Sequence, residues 1–333
     1  METAVLGAGA VGSVIGGLLS KAGEDVILIG RRPHVDAINQ NGLVLDAPPE
    51  KVVIRVKAAE NLDFKPDLAL LAAKTQDIES AVRKAQPFLS GALVVTTQNG
   101  IRSDDIVAGI LGQENIVSGV VLYNCEFIEP GRVLYSKLFG KTALLIGEPF
   151  DPKGNRLQNL SALLNKALPT DISQDIRGAH WTKLLWNLIT AVPAVTGLSY
   201  QEGNHYPQIR ELNIRLMKEG LEVIRLTGIK TAPVPGLSLS LIEKMAEMPL
   251  SQASSVMKNI IESAGEQHTL GSMLQSIKRG KSTEVDYMNG EIVSLGKNND
   301  IPTPVNSLIV GLVHEVETTG KFLTVDELAR RLS

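Results

Sequence analysis

The sequence holds a single cysteine, Cys125, in 333 residues, so no disulfide can form within the chain. No group of Cys and His has metal-ligand spacing, and a reducing cytoplasm is the expected setting. Runs of Lys and Arg are also missing, and the net charge is −3, so nucleic acid is not an expected partner. The apolar start, "METAVLGAGAVGSVIGGLLSKAGE", is broken by glycines and stops at Ser20-Lys21. It lacks a basic leader and a cleavage site, so neither a signal peptide nor a membrane span is expected there. There is no internal repeat and no low-complexity segment. What remains is a globular composition, 44% hydrophobic and 21% charged, and a length that favours two domains.

The first half alternates short β-branched runs with helical segments. Thr3–Leu6, Val26–Ile29, Leu68–Ala72, Leu93–Thr97 and Ile116–Leu122 read as buried strands. Val11–Lys21, Asp77–Phe88 and Arg102–Leu111 read as the helices between them. That alternation predicts an α/β, doubly wound parallel sheet covered on both faces. Hairpins are expected across "DAPPEK" and through "EPGRVLYSK", then a strand at Thr142–Gly147 and a helix at Asn155–Ala167. Beyond about Gln174 strand signals vanish, and amphipathic helical patterns such as Gln208–Thr227 and Leu237–Glu247 take over. The expected domains are therefore 1–173, α/β, and 174–333, all-α.

Gly7, Gly9 and Gly12 lie between the first strand and the first helix. In such a loop the first glycine permits the tight turn and the second lets backbone approach a pyrophosphate. The third allows close helix–strand packing. The following helix offers free N–H groups to phosphate. The loop from Gly7 through Ala8, Gly9, Ala10 and Val11 to Gly12 is thus a candidate dinucleotide site. An acid to hold a ribose 2′-hydroxyl is missing after the second strand; "LIGRRP" places Arg31 and Arg32 there. A guanidinium pairs with a 2′-phosphate, which favours NADP(H) over NAD(H). Lys74, ending another strand, adds a positive charge on the same sheet edge. Asn99, in "TTQNGI", ends a further strand where cofactor or substrate would be met.

The stretch "HWTKLLWNLITAVPAV", 180–195, is mostly apolar yet carries Lys183 and Asn187 one turn apart. A buried ammonium without a partner costs several kcal/mol, on the order of what displaces its pKa. Four residues of helix put both side chains on one face, roughly 6 Å apart along the axis.

Taken with "EPGRV" at 129–133 and "SMLQSIKRGKSTEVDYMNGEIV" at 272–293, these blocks resemble the ketopantoate reductase (2-dehydropantoate 2-reductase) family. The resemblance spans most of the chain, in order. It implies a Rossmann-type domain followed by a helical domain like the C-terminal part of 6-phosphogluconate dehydrogenase. It also implies NADPH-dependent reduction of ketopantoate to pantoate, a step toward pantothenate and coenzyme A. On the family pattern Lys183 is the general acid and Glu284 the catalytic-site glutamate, which also borders the cofactor. Asn187 and Ser272 hold substrate, Asn99 sits between nicotinamide and substrate, and Cys125 falls near a small residue lining the cofactor. Asp286 and Glu291 read as solvated helix faces. The expected partner is a small 2-oxo acid, with the helical domain as the surface for a homodimer.

The sequence departs from the family pattern at three places. Ala191 and Thr269 stand where asparagines are common, and Gln201-Glu202-Gly203 is irregular. Leaving a buried polar substrate group unpaired costs about 1–3 kcal/mol. Ketopantoate or another 2-oxo acid or ketone, an opine-type reaction included, are therefore both open as substrate. A non-catalytic NADP(H) sensor is the reading from another class, and retention of Lys183 and Glu284 weighs against it.

Overall fold

The computed structural model describes residues 1–138, 141–151, 154–263 and 270–332, the side chains of 136–138 excepted. The chain divides into two compact units. One comprises Met1–His180 with Val234–Gly236, the other Trp181–Pro233 with Leu237–Ser333.

In the first unit the strands are β1 (Glu2–Leu6), β2 (Asp25–Ile29), β3 (Leu43–Ala47), β4 (Glu50–Ile54), β5 (Lys57–Ala59), β6 (Leu68–Leu71), β7 (Leu93–Thr96), β8 (Ile116–Val121), β9 (Tyr123–Glu129), β10 (Arg132–Leu138), β11 (Leu144–Gly147) and β12 (Thr170–Ile172). The helices are α1 (Ala10–Lys21), α2 (Arg32–Asn41), α3 (Thr75–Leu89), α4 (Ser103–Leu111), α5 (Arg156–Leu164) and the start of α6 (Ile176–Asn187). The main sheet runs β12-β11-β8-β7-β6-β1-β2-β5. From β8 to β5 all neighbours are parallel; β11 is antiparallel to β8. β6 and β8 are buried at every position, as strands covered on both faces must be. Ile78 and Val82 of α3 and Val107 of α4 pack on one face. Val14, Ile15 and Leu19 of α1 and Leu160 of α5 pack on the other. The strand order reverses at β1, which lies between β2 and β6. Loops after β1 and β6 therefore emerge at the switch point, where open α/β sheets take their ligands.

The two hairpins expected from sequence form, but not separately. β3 pairs in parallel with β10, joining them into a second sheet, β4-β3-β10-β9. The joint lies between residues almost ninety positions apart, such as Val44 and Arg132, and no local pattern encodes it. Leu43, Leu45, Tyr123 and Val133 of this sheet share the core with α1.

The second unit contains the end of α6 and then α7 (Ala191–Thr196), α8 (Tyr200–Asn204), α9 (Pro207–Leu226), α10 (Leu239–Glu247), α11 (Leu250–Ser263), α12 (Ser272–Lys278), α13 (Asn289–Asn298), α14 (Pro304–Thr319) and α15 (Val325–Arg331). No strand occurs among its described residues. The apolar stretch 180–195 is not one helix. Leu188–Thr190 tightens to a 3-10 turn between α6 and α7. Pro193 accounts for the break: it has no N–H for the carbonyl of Ile189, and its ring crowds that carbonyl. α9 packs against the break at Gly220, where an added Cβ would lie 2.6 Å from Leu188 Cδ1.

Candidate active site

The glycine loop follows β1 directly. Gly7 has φ +100°, and a Cβ there would meet the backbone N of Ala73 at 2.3 Å. The N–H groups of Gly7 and Ala8 both donate to the Ile29 carbonyl, at 3.0 and 2.9 Å, which ties the loop to the end of β2. A Cβ on Gly12 would lie 2.3 Å from the Gly7 carbonyl oxygen. A Cβ on Gly9, in contrast, would meet only that oxygen, at 4.0 Å. Gly7 and Gly12 thus serve the fold, while Gly9 leaves open space over the backbone. α1 begins at Ala10 with no side-chain cap and no acidic residue in its first turn. Its first N–H groups have no intrahelical partner, and the helix dipole favours an anion there. This cradle fits the pyrophosphate of a dinucleotide.

Around it, Arg31 caps α2 and is exposed, while Arg32 shares its charge with Asp36 at 3.6 Å. Lys74 caps α3 at the end of β6, half-buried. Asn99 lies just beyond β7, also half-buried, and its carbonyl accepts from Thr75 Oγ1 at 3.0 Å. Gln98 Nε2 donates to the Leu71 and Ala73 carbonyls at 2.7 and 3.0 Å, stitching the same edge. Cys125 lies early in β9, past the end of β8. Gly7, Arg31, Lys74 and Asn99 thus all follow C-terminal strand ends of the main sheet.

His34, which the sequence reading passed over, braces this region. Gly131 N–H donates to His34 Nδ1 at 2.8 Å, so the ring proton is on Nε2, which faces Ser13 Oγ at 3.0 Å. Burial pushes the imidazole down to about 4, so it is neutral. One side chain in the first turn of α2, three residues past Arg31, thus joins α1 to the β9–β10 turn.

In the second unit, Lys183 lies on α6 with 9% of its surface exposed, and Glu284 is 6% exposed. Neither is without a partner, which offsets the cost of burying a charge. Asn187, half-buried, is the last residue of α6, one turn beyond Lys183. Ser272, half-buried, opens α12, which packs on α7. Glu284 opens a 3-10 turn, Val285–Tyr287. Thr283 N–H donates to Glu317 Oε1 at 2.6 Å, and Asp286 meets His314 Nε2 at 3.0 Å, so α14 holds the turn on both sides of Glu284. Desolvation opposes the charged His314, but the hydrogen bonds it donates to Glu317 and Asp286 outweigh that and raise its pKa.

One expectation changes. Glu291 is not on a solvated face; it is 5% exposed, because the first turn of α13 is buried throughout. Ala191 is fully buried at the start of α7. Three residues at 3-10 pitch rotate it by roughly 60° from the line that Lys183 and Asn187 share. Thr269 lies outside the described residues.

A parallel α/β unit with a phosphate cradle at its switch point, followed by an all-α unit holding a buried lysine and glutamate, defines an oxidoreductase of the dinucleotide-binding type. Residues 3–149 match the family model "Ketopantoate reductase PanE/ApbA", and 175–317 match its C-terminal counterpart. The chain is 31% identical over 317 residues to 2-dehydropantoate 2-reductase of Pyrococcus abyssi, covering 94% of this chain and 97% of that one. It is 30% identical to the Pyrococcus horikoshii enzyme of the same name, over 96% and 99% of the two chains. Among solved structures, a PanE/ApbA family ketopantoate reductase from Ralstonia eutropha is 31% identical, with TM-score 0.78 over 96% of this chain and 99% of that one. D-mandelate dehydrogenase, solved with NADH and anilino(oxo)acetate, shares the fold at 23% identity and TM-score 0.81, over 96% and 99% of the chains. The chain belongs to the ketopantoate reductase family.

No helix among the described residues is long and apolar enough to cross a membrane.

Proposed function

We propose that the chain reduces 2-dehydropantoate (ketopantoate) to pantoate with NADPH, as a cytoplasmic enzyme of pantothenate synthesis. The observation that carries this reading is the burial of Lys183 and Glu284 in one unit of a chain that matches the reductase family through both halves. The dinucleotide, when bound, supplies the hydride that adds to the keto carbon. Gly9 and the start of α1 hold its pyrophosphate, while Arg31 and Lys74 offer positive charge to a 2′-phosphate. Negative charge grows on the keto oxygen as the hydride arrives, and Lys183 Nζ stabilises it and donates the proton. Asn187 and Ser272 give polar contacts to the substrate, and Glu284 orients the ammonium. Asn99 orients the carbonyl. Pairing of two copies through the helical unit is part of the same proposal, and sedimentation tests it.

A second reading keeps the chemistry and changes the acid. Ala191, where the family pattern has an asparagine, is fully buried and supplies no amide, so a 2-oxo acid with an apolar side chain and no distal hydroxyl needs no partner from it. Rates with NADPH on ketopantoate and on the 2-oxo acid corresponding to mandelate separate the two. Ketopantoate turned over faster supports the first reading, and the reverse order replaces it with the second.

A further inference from the structure

A chain of buried amides ends on the backbone of the α6–α7 break. Asn289 and Asn306 are both 0% exposed. Asn289 Nδ2 donates to the Leu188 carbonyl at 3.1 Å and to Asn306 Oδ1 at 2.9 Å. Asn306 Nδ2 donates to Glu219 Oε1 at 2.8 Å and to the Leu216 carbonyl at 3.3 Å. Glu219 also accepts from the N–H groups of Val305 and Asn306, at 2.9 and 2.8 Å, and so caps α14. Carbonyls and a carboxylate can only accept, so both amides have one permitted orientation. The order is fixed: Glu219 sets Asn306, Asn306 sets Asn289, and Asn289 holds the Leu188 carbonyl.

Leu188 is the residue after Asn187, and Thr190 Oγ1 binds the Asn187 carbonyl itself, at 2.7 Å. The break is thus pinned from α9, α13 and α14 at the point where α6 ends. A helix end with a proline six residues on has lost regular backbone bonds and is free to fray unless side chains replace them. Here the replacement comes from Asn289 and Asn306, both fully buried, and from half-buried Glu219.

We propose that Asn289, supported by Asn306 and Glu219, is a positioning residue for the reductase: it fixes the turn after α6 and so the direction of Asn187. This rests on the reading of Lys183 and Asn187 given above. Buried polar groups that bond one another specify one geometry, and loss of one member leaves its neighbours unpaired.

The test uses the full chain and a panel of 2-oxo acids with NADPH, for wild type, Asn289→Leu, Glu219→Gln, Asn187→Ala and the Asn187→Ala/Asn289→Leu double variant. NADPH dissociation constants and melting temperatures are measured alongside. Asn289→Leu is expected to lower kcat/KM roughly ten- to hundredfold while the NADPH constant stays within about twofold. In the Asn187→Ala background the same change is expected to cost less than about threefold, because its effect passes through Asn187. Glu219→Gln, at the half-buried end of the network, gives a weaker form of the loss and answers the question if Asn289→Leu does not fold. Lower melting temperatures with kcat and KM unmoved, or full additivity in the double variant, overturn the proposal. If Asn187→Ala keeps wild-type kcat/KM, or wild type turns over no member of the panel, the reading of the site has failed, and this inference falls with it.

Discussion

The backbone N–H of Gly131 donates to Nδ1 of His34 across 2.8 Å, and this one bond fastens the β9–β10 turn to the helix that follows Arg31. A protonated ring would turn Nδ1 into a donor facing a donor. The folded pKa, about 4, is below the ordinary value of 6.5. The unfolded chain therefore binds the proton first, and the contribution is complete above pH 6.5 and is lost as pH falls to 4. Its full size is about 3 kcal/mol. The resistance of wild type to urea should fall as pH drops through that window, and His34→Gln should show a flatter profile. Equal slopes for the two proteins would remove His34 as the cause.

Two glycines in the loop should behave differently when changed to alanine. Gly12→Ala drives a Cβ into the Gly7 carbonyl at 2.3 Å, so it should lower the melting temperature as well as NADPH binding. Gly9→Ala meets nothing nearer than 4.0 Å, so the fold should survive. NADPH affinity should nevertheless fall at least about tenfold, since the new methyl occupies the path of the pyrophosphate. Calorimetry with a binding titration reads both. Undiminished binding by Gly9→Ala would place the phosphates elsewhere.

Arg31→Ala should weaken NADPH binding by roughly ten- to hundredfold and leave NADH almost unchanged. Charge-assisted hydrogen bonds of about 1.5–3 kcal/mol are lost only with the 2′-phosphate. A parallel loss for both cofactors would mean that Arg31 acts on the loop and not on the phosphate.

The sequence made the parallel sheet, its helices and the glycine loop legible because each is written locally, in periodicity and in strand-to-helix spacing. Lys183 was legible as an oddity, a charge among leucines and tryptophans, and its burial agrees with that. The β3–β10 joint was not, since two hairpins carry no signal for which edge meets which. The break at Leu188–Thr190 was marked by Pro193 and could have been read from it. His34 and Asn289 left no trace of their roles: a lone histidine and one asparagine in "YMNGEIV" mean nothing until Gly131 and Leu188 are folded against them. Glu291 misled for the same reason, because a glutamate in a helix looks solvated until its neighbours cover it.

In the proposed reaction Lys183 gives the proton when a 2-oxo acid is reduced. The most direct measurement is NADPH consumption with ketopantoate by wild type and Lys183→Ala, at saturating cofactor. Wild type should turn over, and the variant should show a kcat lower by about 10²–10⁴-fold with NADPH affinity preserved. Turnover by Lys183→Ala at the wild-type rate would contradict it.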